Sequence, residues 1–539
     1  MRMVREKNSN LCLVNGNVIT LDSSNPRAEA VAIRDGRIIG VGSRDEVKSL
    51  FVDEEVRLID LDGGTVLPGF TDCHIHLLGY GLMLNMLDLR GVKSIAEIKE
   101  RLRKEAERRP GGSWIVGHGW DDSLLAEGRL PTRWDLDEAA PDNPTSLMRV
   151  CGHITCVNSK ALELANITAE TESPPGGQID KDPETGEPTG ILREAAGFMI
   201  LGMVSLREED YVLALRAACE YAVSRGLTSV HCMPLIEQDQ SIQGRVFQIL
   251  LMRGELPLRV YLNIPESSLQ SLVDLGFYTG FGGSKLKIGA IKVILDGSLG
   301  GRTAAMLEPF SDDPENRGIL LYDEEKLREI VKTAHGADCQ LAIHCIGDRA
   351  LKIALDAIEE ALKEKPKRDH RHRIEHASVL SEGLIERMRK LGVVASVQPP
   401  FIVSDAPWMF NRVGEERARY VYPFKTLLEK GIKLAAGSDC PVEDMDPLKG
   451  IQAAVSREVN PEYTFVPEQR VSVEQAIRMY TIDAAYASFE EKVKGSIEVG
   501  KLADLVVLSD NPLSVPVDKI GEIEVKMTIV GGEIVYSKL

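Results

Sequence analysis

Three textures follow one another along the chain. Over residues 1–66, short alternating or β-branched runs (LCLVNGNVITL, AVAIRDGRIIGVG, VRLIDL) are separated by Asn-Gly and Asp-Gly pairs, as expected for antiparallel strands joined by tight turns. The same texture returns over residues 486–539 in ADLVVLSDNPL and VKMTIVGGEIVY, the latter broken by Gly531-Gly532. Neither end carries enough strands to bury a face alone, so both are predicted to build one small composite β-sandwich domain.

Residues 67–485 keep a different rhythm. Apolar runs ending in polar residues alternate with stretches of helical period such as EEDYVLALRAACEYAVSRG and ALKIALDAIEEALKEK. The runs TVLPGFTD, GLTSVHC, LRVYLNI, IKVILDG, QLAIHCIG, RHRIEHA, VVASVQP and KLAAGSD supply eight candidate parallel strands. Eight closes a TIM (β/α)8 barrel, and the fold class is therefore α/β. The gap between the first two runs is too long for one crossover, which predicts an insertion over about residues 80–225.

Composition narrows the function. With 82 acidic against 64 basic side chains the 539-residue chain carries a net charge of -18, which disfavours nucleic-acid phosphates and anionic membranes. No stretch is long and apolar enough for a membrane span or a signal-peptide core. The expectation is a cytoplasmic enzyme with a small-molecule substrate, a homodimer being the commonest assembly of such proteins. Nine cysteines without CxxC spacing read as reduced thiols.

The chemistry concentrates at strand ends. In LPGFTDCHIH, His74 and His76 lie two apart, and alternation along a strand aims both imidazoles the same way. His344 ends the fifth run, His376 the sixth, and Asp439 the eighth. Active sites of β/α barrels gather at this rim, and four histidines with an aspartate form a nitrogen and oxygen cage suited to zinc or a similar divalent ion.

Taken in order, PGFTDCHIH, GHGWDD, GHITCVN, IKVILDGSLGGRTA, IHCIGDRA, RIEHAS, GSDCPV and GSIEVGKLADLVVL resemble the amidohydrolase superfamily of metal-dependent hydrolases. More narrowly they resemble its family-3 branch, which includes N-substituted formamide deformylases. The resemblance implies a distorted TIM barrel, the composite β domain and one or two metal ions. His74 and His76 would hold the more buried ion and His344 and His376 the second, while Asp439 would ligate the first and handle protons as the catalytic residue. Lys292, in the fourth run, would be carboxylated to a bridging carbamate, a reaction that needs its neutral amine. The alternative is an ordinary lysine reaching along the barrel wall.

The expected reaction is hydrolysis of a carbon–nitrogen bond of a non-peptide amide or N-acyl or N-formyl amine by metal-activated hydroxide. Substrate contacts are expected from His118, Trp120 and His153 of the insertion, Arg302 of the glycine-rich loop DGSLGGRTA, and Gln398. Trp408, Met409 and Phe410 are placed in a loop after Gln398. His231 is a candidate to support the ligands from behind, and His335, His370 and His372 read as structural. Two other readings are a zinc deaminase, whose usual glutamate shortly after the fifth-strand histidine is missing here, and a non-catalytic scaffold, which has no need of a complete cage.

Overall fold

The computed structural model describes residues 10–51, 55–149, 153–174, 177–201, 206–235 and 240–539. The chain divides into two compact units, one of Met1–Tyr80, Arg216–Leu235 and Gln243–Leu539, the other of Gly81–Leu215 with Ile236–Ile242.

The first unit contains the barrel. Its strands are β1 (Phe70–Ile75), β2 (Leu227–Cys232), β3 (Arg259–Pro265), β4 (Leu286–Ile294), β5 (Leu341–Cys345), β6 (Arg373–His376), β7 (Val394–Val397) and β8 (Leu434–Ala436). They form one eight-stranded sheet in chain order, each parallel to the next. Helices between the strands bury apolar stripes against them; in Asp348–Glu364 the stripe includes Leu351, Leu355 and Ile358. Beyond β8 the circle is completed by the backbone, Asp439 N–H donating to His74 O at 2.7 Å and His76 N–H to Cys440 O at 2.9 Å.

The run TVLPGFTD, expected to be one barrel strand, is two. Thr65–Pro68 pairs antiparallel with Leu505–Leu508 in the β domain, and only Phe70–Ile75 enters the barrel. Gly69 makes the hand-over, because a Cβ there would sit 2.2 Å from Thr228 Cγ2. The β domain is a four-stranded sheet facing a six-stranded one, and the second mixes strands from both ends of the chain. Leu13, Val31 and Val66 share its core with Leu505, Met527 and Ile529. It is fastened to β3 by Arg259, whose Nε and a terminal nitrogen donate to the two oxygens of Asp504 at 2.6 and 2.8 Å. The segment after Gln398 is a helix, Phe401–Val413, and not the expected loop.

The second unit has its own mixed six-stranded sheet and its own core around Leu102, Trp120 and Leu147. Its helix Ile95–Arg108 starts at Ser94, whose hydroxyl accepts from Glu97 N–H, and buries Ile95, Ile98 and Leu102. The charged run RLRKEAERR forms its solvated face, with Arg101 paired to Glu97 and Lys104 to Glu100. The eight cysteines among the described residues are free and buried, and Cys151 lies outside them. No helix among the described residues is long and apolar enough to cross a membrane.

Candidate metal centre

β1 is buried along its whole length and delivers His74 near its end, with His76 just beyond. Asp439, two residues past Gly437 after β8, lies between them: its Oδ1 is 3.4 Å from His74 Nε2 and 3.3 Å from His76 Nε2. Among the described residues these three form the one group of His, Cys, Asp and Glu side chains whose ligand atoms all lie within 4.8 Å of one another. Lys292 of β4 reaches the same point, Nζ 3.3 Å from His74 Nε2. The His376 ring centre is 4.7 Å from that of His74 and 4.4 Å from that of His344. Six side chains far apart in sequence thus meet at the C-terminal rim, where such barrels carry their chemistry.

Backbone conformation shapes the rim. His376, Ala377 and Asp439 have φ of 71°, 44° and 60°, a left-handed region that costs a residue with a Cβ about 1–2 kcal/mol. Asp72 offsets this at the closure. Its carboxylate accepts from His74 N–H at 3.0 Å and from Ser438 N–H and Oγ–H at 3.2 and 2.6 Å, and burial pushes its pKa to about 7. Asp296, pushed by burial to about 7, accepts the N–H groups of Ala305, Ile346 and Gly347 and braces the loop beside His344.

The ring nitrogens are committed one by one. His74 Nδ1 lies 2.6 Å from Glu375 Oε2 and His376 Nδ1 lies 2.7 Å from Gln398 Oε1, so these acceptors place a proton on each Nδ1 and leave each Nε2 a lone pair. His344 Nε2 faces Gly297 O at 3.1 Å, which leaves its Nδ1 bare. Burial holds His74, His344 and His376 well below the ordinary imidazole pKa; Lys292 beside His74, His376 beside His344, and His74 beside His376 add to it. Burial also lowers Lys292. For Asp439 burial opposes the charge, yet His74 and His76 hold its carboxyl below the ordinary value. Nε2 of His74 and of His76 with Oδ1 of Asp439 make a compact nitrogen and oxygen donor set of the kind a divalent ion takes, so the residues fit one.

The expected substrate contacts fare differently. Gln398 stands behind His376, with its Nε2 buried and without a hydrogen-bond partner. Arg302 is committed through two nitrogens to Asp312. Trp120 is fully buried in the second unit's core and donates its indole N–H to Leu147 O at 2.8 Å, leaving no face for a ligand; its size and polar handle are spent on packing. In the same unit His118 lies half-buried on Ile115–Trp120, its pKa lowered by burial, and His153 Nδ1 is 2.9 Å from Glu194 Oε2. On the helix after β7, Phe410 packs against Phe465, while the ring parallel to His376 is that of Phe401 at 6.1 Å.

Residues that the sequence reading passed over are Glu375, Arg373, Asp72, Ser438 and Asp296. Asp72 had a visible signal, standing two positions before His74 in PGFTDCHIH. His231 belongs with Arg373, whose terminal nitrogen lies 2.8 Å from His231 Nδ1.

Comparison with known proteins shows the family. A family profile described as "Amidohydrolase family" matches residues 57–536. The Bacillus subtilis (strain 168) protein YtcJ, which carries the name of an amidohydrolase, is 36% identical over 528 residues, covering 97% of this chain and 98% of its own. The N-substituted formamide deformylase of Arthrobacter pascens is 30% identical over 546 residues, covering 98% of each. The crystal structure of an uncharacterized metal-dependent hydrolase from Pyrococcus furiosus superposes with a TM-score of 0.80 at 35% identity, covering 94% of this chain and 100% of that one.

Proposed function

Because the chain belongs to the amidohydrolase family, we propose that it hydrolyses a carbon–nitrogen bond of a small non-peptide amide or an N-acyl or N-formyl amine. The observation that carries the reading is the meeting of His74, His76 and Asp439, their ligand atoms within 4.8 Å of one another, with Lys292, His344 and His376 beside them. The bond class is supported by the deformylase relative, aligned along nearly the whole chain.

His74, His76 and Asp439 would hold one ion, most fittingly zinc, and His344 and His376 a second. A divalent ion bound there would supply Lewis acidity, making water nucleophilic near neutral pH and polarising the scissile carbonyl. Lys292, desolvated by its burial, would bridge the two positions after its amine adds to carbon dioxide and loses a proton. Asp439 Oδ1, set between the two imidazoles, would take the proton of the attacking water and return it to the departing amine nitrogen. The Asp72–Ser438 contact holds the strand ends that present these groups.

The test is metal content by plasma mass spectrometry on wild type and Lys292→Ala, purified without chelator, followed by a panel of formamides, N-acyl amines, esters and aminated heterocycles. About two ions per chain, fewer in the variant, with release of free amine from an amide, is the expected result. Ammonia released only from heterocycles would replace amide cleavage by deamination, and a folded protein without divalent ions would overturn the reading.

A further inference from the structure

We propose that Glu375 is a positioning residue of the centre, holding His74 by its Nδ1 so that Nε2 faces the cation site, with Arg373 locking Glu375 in place. The inference rests on the reading of His74 as a metal ligand and assigns the group behind it.

Glu375 is fully buried inside the barrel, where a carboxylate is costly unless it is paired with an opposite charge. One oxygen, Oε2, is 2.6 Å from His74 Nδ1 and accepts from a terminal nitrogen of Arg373 at 3.2 Å, and the other, Oε1, lies 2.8 Å from Arg373 Nε as an ion pair without hydrogen-bond geometry. The Arg373 side chain, itself fully buried, spends its terminal nitrogens on three further strands. It contacts His231 of β2 at 2.8 Å, donates to Cys73 O of β1 at 2.6 Å and to Ser396 Oγ of β7 at 3.0 Å. A guanidinium fixed by four strands holds its carboxylate partner in one orientation.

If Glu375 were only the counter-charge of Arg373, the contact of its Oε2 with His74 would need another reason. β1 and β6 are not neighbours in the sheet, so this bond crosses the barrel interior. Its chemical effect is specific. A carboxylate accepting from Nδ1–H fixes the tautomer and makes Nε2 a stronger donor to a cation. β6 thereby serves the centre twice, with Glu375 turned inward to His74 and His376 turned to the neighbouring position, supported by Gln398.

The experiment uses the full chain stripped of metal by chelation. Zinc affinity is measured by competition with a chromogenic chelator for wild type, Glu375→Gln and Glu375→Asp, and the ring nitrogens of His74 are followed by NMR of protein labelled with 15N-histidine. Glu375→Gln removes the charge. Glu375→Asp keeps a carboxylate opposite Arg373, and so the fold, but withdraws it from His74. Both variants are expected to bind zinc about 10- to 100-fold more weakly, and in Glu375→Asp, which withdraws the acceptor, His74 is no longer held as the single Nδ1–H tautomer. Aspartate and glutamine variants that fold and bind zinc as wild type does, with His74 unchanged, would overturn the inference and leave the proposed function standing. A wild type that binds no zinc or other divalent ion would remove both.

Discussion

Acidification should loosen the end of the barrel opposite the candidate metal centre, through His372 and His370, two buried histidines whose protons are assigned by their partners. His372 Nδ1 accepts from Leu341 N–H at the start of β5, at 3.1 Å, so its proton is on Nε2, which faces His335 Nδ1 at 2.9 Å. His335 Nε2–H then donates to Lys365 O at 2.7 Å. His370 accepts from His372 N–H at Nδ1 and donates to Leu391 O from Nε2, at 2.9 and 2.8 Å. Every ring nitrogen is used, and a second proton on any ring would face a donor. Burial holds His372 well below its ordinary 6.5, with His370, His335 and Lys367 acting in the same direction. Burial likewise lowers His370, against the Leu391 carbonyl, which favours its charged form. The folded pKa is therefore the depressed one, the unfolded chain binds the extra proton, and stability present above pH 6.5 is lost as pH falls below it. For His372 alone, going from pH 7.5 to 5.5 removes about 1.4 kcal/mol, roughly tenfold in the opening equilibrium. The assay is amide hydrogen exchange at Leu341 and His372, corrected for intrinsic rates, beside 15N NMR of the rings. Equal protection at both pH values, with the His372 ring protonated in the folded protein, would refute the reasoning.

Three further outcomes follow from the barrel's fastenings. Asp72→Ala strips the acceptor from three buried donors, each worth about 1–3 kcal/mol, and should lower both the thermal midpoint and the metal content of the purified protein. Gly437→Ala would place a Cβ 2.5 Å from His74 N and 2.8 Å from Asp72 Oδ1; a loss of about 1–3 kcal/mol by chemical denaturation, with weakened metal binding, is expected. Arg259→Met leaves the buried Asp504 carboxylate unpaired and should cost about 3–5 kcal/mol, read as earlier protease cleavage between the β domain and the barrel.

The sequence was most legible where one physical pattern dominates. Seven of the eight barrel runs coincide with single strands, because parallel strands covered on both faces must be apolar throughout and the motif residues mark their ends. The first run misled because Thr65–Pro68 and Phe70–Ile75 are both buried and apolar, and only the packing of Gly69 on Thr228 separates two layers that look like one strand. The helix after Gln398 was hidden by Pro407, which sits inside it. Trp120 was chosen for its place in a motif, yet an aromatic residue at a strand end has two uses, and here its N–H serves the core.

The support behind the candidate ligands was illegible for a different reason, and its trace in the sequence can be stated. Charges at the start of a barrel strand usually mean a polar entry, and in RHRIEHA only the closing histidine, His376, was given a role in the site. Arg373 and Glu375, however, lie two apart on a strand whose four residues are all buried, so both side chains project to one face and that face has no water. Two opposite charges there must neutralise each other, and each keeps polar atoms that need further partners. In a closed barrel the available partners are inward groups of other strands, among them the imidazole of His74. An Arg-x-Glu pair ahead of a strand-end histidine, in a strand predicted to be covered on both faces, therefore points to a ligand on another strand held from within.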